Sequence, residues 1–264
     1  MKKLKSALTK VEGFLTARDT RAGIRARQLT GKERPGDAKL AEILVSERRA
    51  RTRMDGSIDG SLIRTAWAAW EMMDLGADPL HGGLDRLVSW ILGQLEAQTI
   101  PDPAPLTLPN GAAFADPEGS AFAARCLALR VLLRARRAER PGVARLVDQL
   151  ADGPQPPTLD LSACALGALA LVPPPHRRHL DGLVNRLGKA QKPDGGWDDA
   201  DLFHMLEALV LAGIRPARLV VAQAAPRLIA QLREDGSFDD PPHDAVHEER
   251  AVIGLRALRV ALED

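Results

Sequence analysis

Apolar residues recur every three or four positions along most of this chain, which is the period of a helix with one buried face. Leu4, Leu8, Val11 and Leu15 predict a first helix over residues 3–16. Ten more helices follow in two alternating sets, making about eleven. One set, residues 37–52, 84–98, 141–150, 179–191 and 217–232, is amphipathic. The other, residues 60–74, 119–136, 158–172, 199–213 and 244–262, is visibly more apolar, as helices buried on most sides are. The segment IPDPAPLTLP, residues 100–109, is too rich in proline to be helix and reads as a lid or partner-binding insertion.

The alternation has a period. LVNRLGKAQKPDGGWDDADLFHMLEALVLAG (183–213) is followed by RLIAQLREDGSFDDPPHDAVHEERAVIGLRAL (227–258). Each runs helix, glutamine, Asp-Gly turn, aromatic, helix. The turn aspartates Asp194 and Asp235 are 41 residues apart, and Asp152 lies 42 before Asp194. A further step of 42 reaches Asn110, and a looser copy sits at Asp55 after an apparent insertion. Self-similarity at this spacing means stacked helical hairpins. Glycine after the aspartate supplies the positive φ that ends one helix. The acidic residues that follow suit the start of the next, where unpaired N–H groups favour negative charge.

The string QKPDGGW, Gln191 to Trp197, resembles the QW motif of the squalene–hopene cyclase and protein prenyltransferase β-subunit repeat family. The copy at Gln231–Phe238 is a fair match and the three earlier ones are weak. The resemblance implies an all-α fold, an α/α toroid, in residues 36–264: an outer and an inner ring of helices around a central cavity. Residues 1–35 then form an N-terminal basic amphipathic helical segment. In a toroid every inner helix begins just after its turn, so the inner starts share one rim. In the resembling families that rim and the cavity below it hold substrate diphosphates, catalytic acids and zinc ligands. Gln191, Gly195, Gly196 and Trp197 themselves read as structural.

Two inner starts are dense in chemistry: Asp198, Asp199, Asp201 and His204, then Asp239, Asp240, His243, Asp244 and His247. The resembling cyclases protonate an alkene or epoxide with a DxDD motif. Here the order is D-D-A-D, so Asp199 and Asp201 are candidate acids without the motif, and N-capping explains one or both equally well. The prenyltransferase β-subunits bind zinc through Asp, Cys and His, and D-L-F-H (Asp201–His204) is similar to their histidine-bearing segment. Aligning the inner helices places Cys164 opposite His204, with Asp160 one turn earlier, although the family's D-x-C pairing is absent. His243 and His247 offer a second pair, four apart. The cofactor is left open: zinc or magnesium at His204, Cys164, His243 and His247 is the candidate, against a small buried hydrophobe and surface histidines. Trp67, Phe203, Arg64 and Arg250 are the expected ligand-binding residues. With five Phe, four Trp and no Tyr, few aromatic faces are available to stabilise carbocations.

The function expected from this is a terpene cyclase-like or prenyltransferase-like toroid acting on, or binding, an isoprenoid or other apolar ligand. The alternative is a protein–protein interaction scaffold that kept only the fold. A net charge of +1 argues against a nucleic-acid partner held by bulk electrostatics. Two cysteines without framework spacing, a charged start and no apolar run long enough to span a bilayer point to a cytoplasmic protein. Its membrane contact is at most peripheral, through residues 1–16, whose basic face otherwise faces solvent. Abundant Arg and Ala without Tyr fit a bacterial, GC-rich source.

Overall fold

In the computed structural model, residues 1–100, 102, 104–173, 179–238 and 244–263 are described. They form twelve helices and one two-stranded hairpin. The odd-numbered helices are α1 (Lys2–Thr16), α3 (Asp37–Ala50), α5 (Gly82–Glu96), α7 (Pro141–Asp152), α9 (Leu180–Lys189) and α11 (Arg215–Ala230). The even-numbered ones are α2 (Arg21–Thr30), α4 (Leu62–Asp74), α6 (Pro117–Arg134), α8 (Leu159–Leu169), α10 (Leu202–Ala212) and α12 (Asp244–Glu263). The even helices pack in sequence, α2 on α4, α4 on α6, and so on to α12, which returns to α2. That closed inner ring, with the odd helices outside it, is an α/α toroid.

The capping pattern separates the rings. Thr20, Ser61, Asp116, Thr158 and Asp201 each accept a hydrogen bond from the backbone N–H three residues on, at the starts of α2, α4, α6, α8 and α10. None of the six outer helices has a side-chain cap. These caps give partners to N–H groups that the first turn of each inner helix leaves unpaired.

Four turns share one geometry. The side-chain oxygens of Asp55, Asn110, Asp194 and Asp235 accept from the backbone N–H two residues on, at 2.9–3.1 Å. The glycine after each has φ between 88° and 95°. At Gly195 a Cβ would also collide with the Gln223 carbonyl of the neighbouring outer helix, so neither φ nor space admits another residue. Asp152 departs from the repeat: α7 runs through it and Gly153 is extended. Gln191 donates to the carbonyls of Gly195 and Val220, bridging its turn to the next hairpin. Trp197 is buried and donates to Leu187 O at 2.8 Å.

Sequence periodicity missed α2. Half of its residues, RAGIRARQLT, are polar, and Arg21 and Arg27 are among the buried ones. Arg27 is matched by Asp37 and by the carbonyls of Thr16 and Arg18. Helix α1 lays Ala7, Val11 and Leu15 on α12 and leaves Lys2, Lys3, Lys5 and Lys10 exposed. Residues 1–35 thus supply the helical pair through which α12 is joined back to α4. No described helix is long and apolar enough to cross a membrane.

Candidate functional site

The interior of the inner ring is filled with paired charge. Arg21 on α2 meets Asp74 on α4 at 2.6 Å and Glu249 on α12, with Glu71 at 3.6 Å. Asp74 also takes Arg134 of α6 at 2.8 Å. Arg130 of α6 reaches past α8 to Glu207 of α10. Burial opposes each of these charges, and the partners decide the result. Arg21 is held above the usual arginine range because Glu249, Asp74 and Glu71 outweigh its burial. Glu207 is held at about 2, because Arg130 outweighs burial. Glu249 goes the other way: burial raises it to about 7, and Glu207 and Asp74 add repulsion that Arg21 only partly offsets.

Above these pairs the proline-rich segment folds into the mouth. Strands β1 (Leu106–Thr107) and β2 (Ala113–Phe114) form a short antiparallel hairpin with Asn110 at its tip. Asp102 secures the approach by accepting from Ser61 Oγ and from the N–H groups of Leu62 and Ile63, the start of α4. Asn110 is 2% exposed, and its Nδ2 donates to His204 Nδ1 at 2.9 Å and Glu207 Oε2 at 2.7 Å. Arg250 holds the tip from α12, donating to Asn110 O at 3.1 Å and to Asp201 Oδ2 at 2.8 Å. The other turns of this shape carry aspartate. Here an ionised side chain would face Glu207 with nothing to donate, so the amide is the residue that fits.

What stays open is a cleft of about 480 Å³ at the inner-helix starts. Its apolar wall is Leu44, Ile63, Trp67, Leu108 and Val246. Arg21, Arg48 and Arg64 border it, each matched by a carboxylate: Arg48 by Glu71 at 2.8 Å and Arg64 by Asp59 at 2.8 Å. The Arg21 guanidinium lies 4.9 Å from the Trp67 ring centroid. The cleft is therefore nearly neutral, with one large aromatic face.

The expected site residues divide between these places. Trp67 and Arg64 line the open cleft. Phe203 is buried, edge-on to Phe238 at 5.2 Å and under the Arg250 guanidinium at 4.9 Å. Arg250 positions the hairpin tip. Asp199 is exposed in a left-handed turn, φ 54°. Asp201 caps α10 and pairs with Arg250. His204 accepts at Nδ1 from Asn110, while Nε2 lies 3.0 Å from Asp160 O and 3.3 Å from Cys164 Sγ. Both ring nitrogens are engaged, the Cys164 thiol is pushed well up by burial, and Asp160 offers its carbonyl toward the ring. That set does not fit a zinc centre, which needs a thiolate and a free imidazole nitrogen. Among the described residues no three His, Cys, Asp or Glu side chains are grouped to hold a metal ion. His247 lies apart, in a pocket with Phe14, Arg18 and Asp235, and His243 falls outside the described residues. Of the residues that periodicity passed over, Asp74, Arg130, Glu207 and Glu249 share one legible signal, charges placed on the inner helices that were read as apolar; Arg21, on the arginine-rich α2, does not.

The helical toroid is shared with two solved structures. The type II terpene cyclase MstE from Scytonema, solved as an Asp-to-Asn variant with geranylgeranyl dihydroxybenzoate, matches 99% of this chain and 98% of its own, with a TM-score of 0.61 at 13% identity. A protein from Actinoplanes matches 96% of this chain and 88% of its own, with a TM-score of 0.51 at 16% identity. No protein-family model and no curated protein matches the sequence.

Proposed function

We propose that this toroid binds an isoprenoid or other apolar ligand at the mouth of its ring, as a binder and not as a polycyclising enzyme. The open cleft with the Trp67 face carries this reading: 480 Å³ lies within the usual range for small-molecule sites, and its walls are mainly apolar. The shared fold with a terpene cyclase that holds a geranylgeranyl substrate supports the ligand class. The interior argues against carbocation chemistry. A type II reaction needs a protonated acid facing a dry, aromatic chamber. Here the ring axis holds ion pairs and the tip of the hairpin, and Asp201 accepts hydrogen bonds from His204 N and Arg250.

Titrating geranylgeraniol while following tryptophan emission tests this. Saturable quenching is expected, lost in Trp67→Ala and kept in Trp90→Phe. No quenching, or quenching unchanged in Trp67→Ala, rejects it. The same filled interior favours one second reading, a protein–protein scaffold, to which failure of the titration would pass the weight. Turnover of the alcohol or its diphosphate that disappears in Asp201→Asn would restore the enzyme.

A further inference from the structure

We propose that a slot on the outside of the ring, between α5, α6 and α7, is a second ligand site that takes a single-chain amphiphile with an anionic head. It is separate from the mouth and does not depend on the reading of it. The slot has two adjacent parts, both lined by Arg125, Leu146 and Gln149. The inner part, about 190 Å³, is lined by Phe122, Cys126, Leu129, Leu146 and Leu150. The outer part, about 400 Å³, widens to the surface beside Arg125, Arg145 and Glu96.

The chemistry of the two parts differs, and that difference specifies the ligand. An apolar slot removes a hydrocarbon chain from water, with a gain of about 0.8 kcal/mol per buried methylene. The chain's head must then lie in the outer part. At the mouth the arginines beside the cleft, Arg21, Arg48 and Arg64, are matched by carboxylates. Among the described residues neither Arg125 nor Arg145 has a carboxylate within ion-pair distance. The one acid in the outer part, Glu96, leaves it with a net positive charge. Two unmatched guanidinium forks above an apolar slot suit a carboxylate or phosphate monoester, the groups that arginine binds in bidentate fashion.

Calorimetric titration of the full chain tests the site with four probes: dodecanoate, dodecyl phosphate, 1-dodecanol and inorganic phosphate, each below its aggregation limit. With the mouth disabled by Trp67→Ala, one molecule of an anionic amphiphile is expected per chain, with 1-dodecanol at least about tenfold weaker and inorganic phosphate not bound. Whichever head binds more tightly names the source, carboxylate or phosphate. In that background Leu146→Trp, which fills the inner part, should abolish binding; Arg125→Gln with Arg145→Gln should weaken it about tenfold or more. Trp67→Ala by itself, at the mouth, should leave binding at the slot unchanged. Gln149→Trp at the rim replaces Leu146→Trp if the latter melts at much lower temperature. Absence of binding, equal binding by wild type and a blocked variant that is folded, or loss in Trp67→Ala alone overturns the proposal.

Discussion

The mouth and the interior of this ring are built from the same residue types with opposite results. Both hold arginine, carboxylate and tryptophan. In the interior, Arg21, Arg130 and Arg134 are locked to Asp74, Glu207 and Glu249, and Trp70 lies 4.3 Å below Arg134. At the mouth, Arg64 is 65% exposed at its side chain and Trp67 presents a face to the cleft. Depth makes the difference. A buried charge must be paired or it costs several kcal/mol, so the interior is a closed network that no ligand can enter without breaking it. Charges at the mouth keep their water and can be rearranged at little cost. A binding surface therefore survives above an interior that serves structure.

The largest expected effect comes from opening the network. Glu207→Gln leaves Arg130 buried without its counter-charge and should lower unfolding free energy by about 3–5 kcal/mol, read in a denaturant titration. A loss below 1 kcal/mol would show that water reaches the interior and that the two regions are alike. Next is pH. Glu249 has its carboxyl raised from the ordinary 4.5 to about 7. Its native state prefers the proton, so the stability it contributes is full below pH 4.5 and is lost as pH rises through 7. That difference corresponds to about 3 kcal/mol between pH 4.5 and 8. Unfolding followed across this range should slope downward in the wild type and flatten in Glu249→Gln. Glu207 has the reverse sign: its pairing keeps its stability above pH 4.5 and loses it as pH falls toward 2.

Asn110→Asp probes the boundary between the regions. It removes two donated hydrogen bonds and sets a carboxylate against Glu207, so a loss of about 2 kcal/mol or more is expected. At Asp194, in the same turn on the surface, Asp→Asn should cost less than about 0.5 kcal/mol. Equal costs would mean that the hairpin tip is not seated. Smallest in stability is the mouth itself: Arg64→Ala should move the melting temperature by less than the error of most scans. Its effect belongs in the geranylgeraniol titration, where Trp67→Ala should dominate.

The alternation of amphipathic and apolar helices, the turn period and the structural work of Gln191 and Trp197 could all be read along the chain. They rest on contacts within a hairpin or between neighbours, which a linear pattern records. Helix α2 escaped because its buried face mixes Arg21 and Arg27 with the small residues Ala22, Gly23 and Ala26 and a single large apolar residue, Ile24, which leaves no apolar period to read. Asn110 was visible as a repeat position, and residues 100–109 as an insertion. That the insertion turns inward to His204 and Glu207 was not, because those partners lie 94 and 97 residues away. His204 and Cys164 did come together, at 3.3 Å, yet in a set already satisfied by Asn110 and the Asp160 carbonyl.

What the amino-acid order decided alone is the repeated hairpin: where glycine must stand in its turns and, α2 apart, which helices turn inward. Helical period and turn stereochemistry are local, so they leave their mark residue by residue. Tertiary structure decided how the charges pair once six hairpins close. That pairing spans the whole chain, as from Arg21 to Glu249, and depends on which carboxylates lose their water together. Closure turned a ring that could have held a chamber into one with a filled axis, an open mouth and a slot on its outer wall.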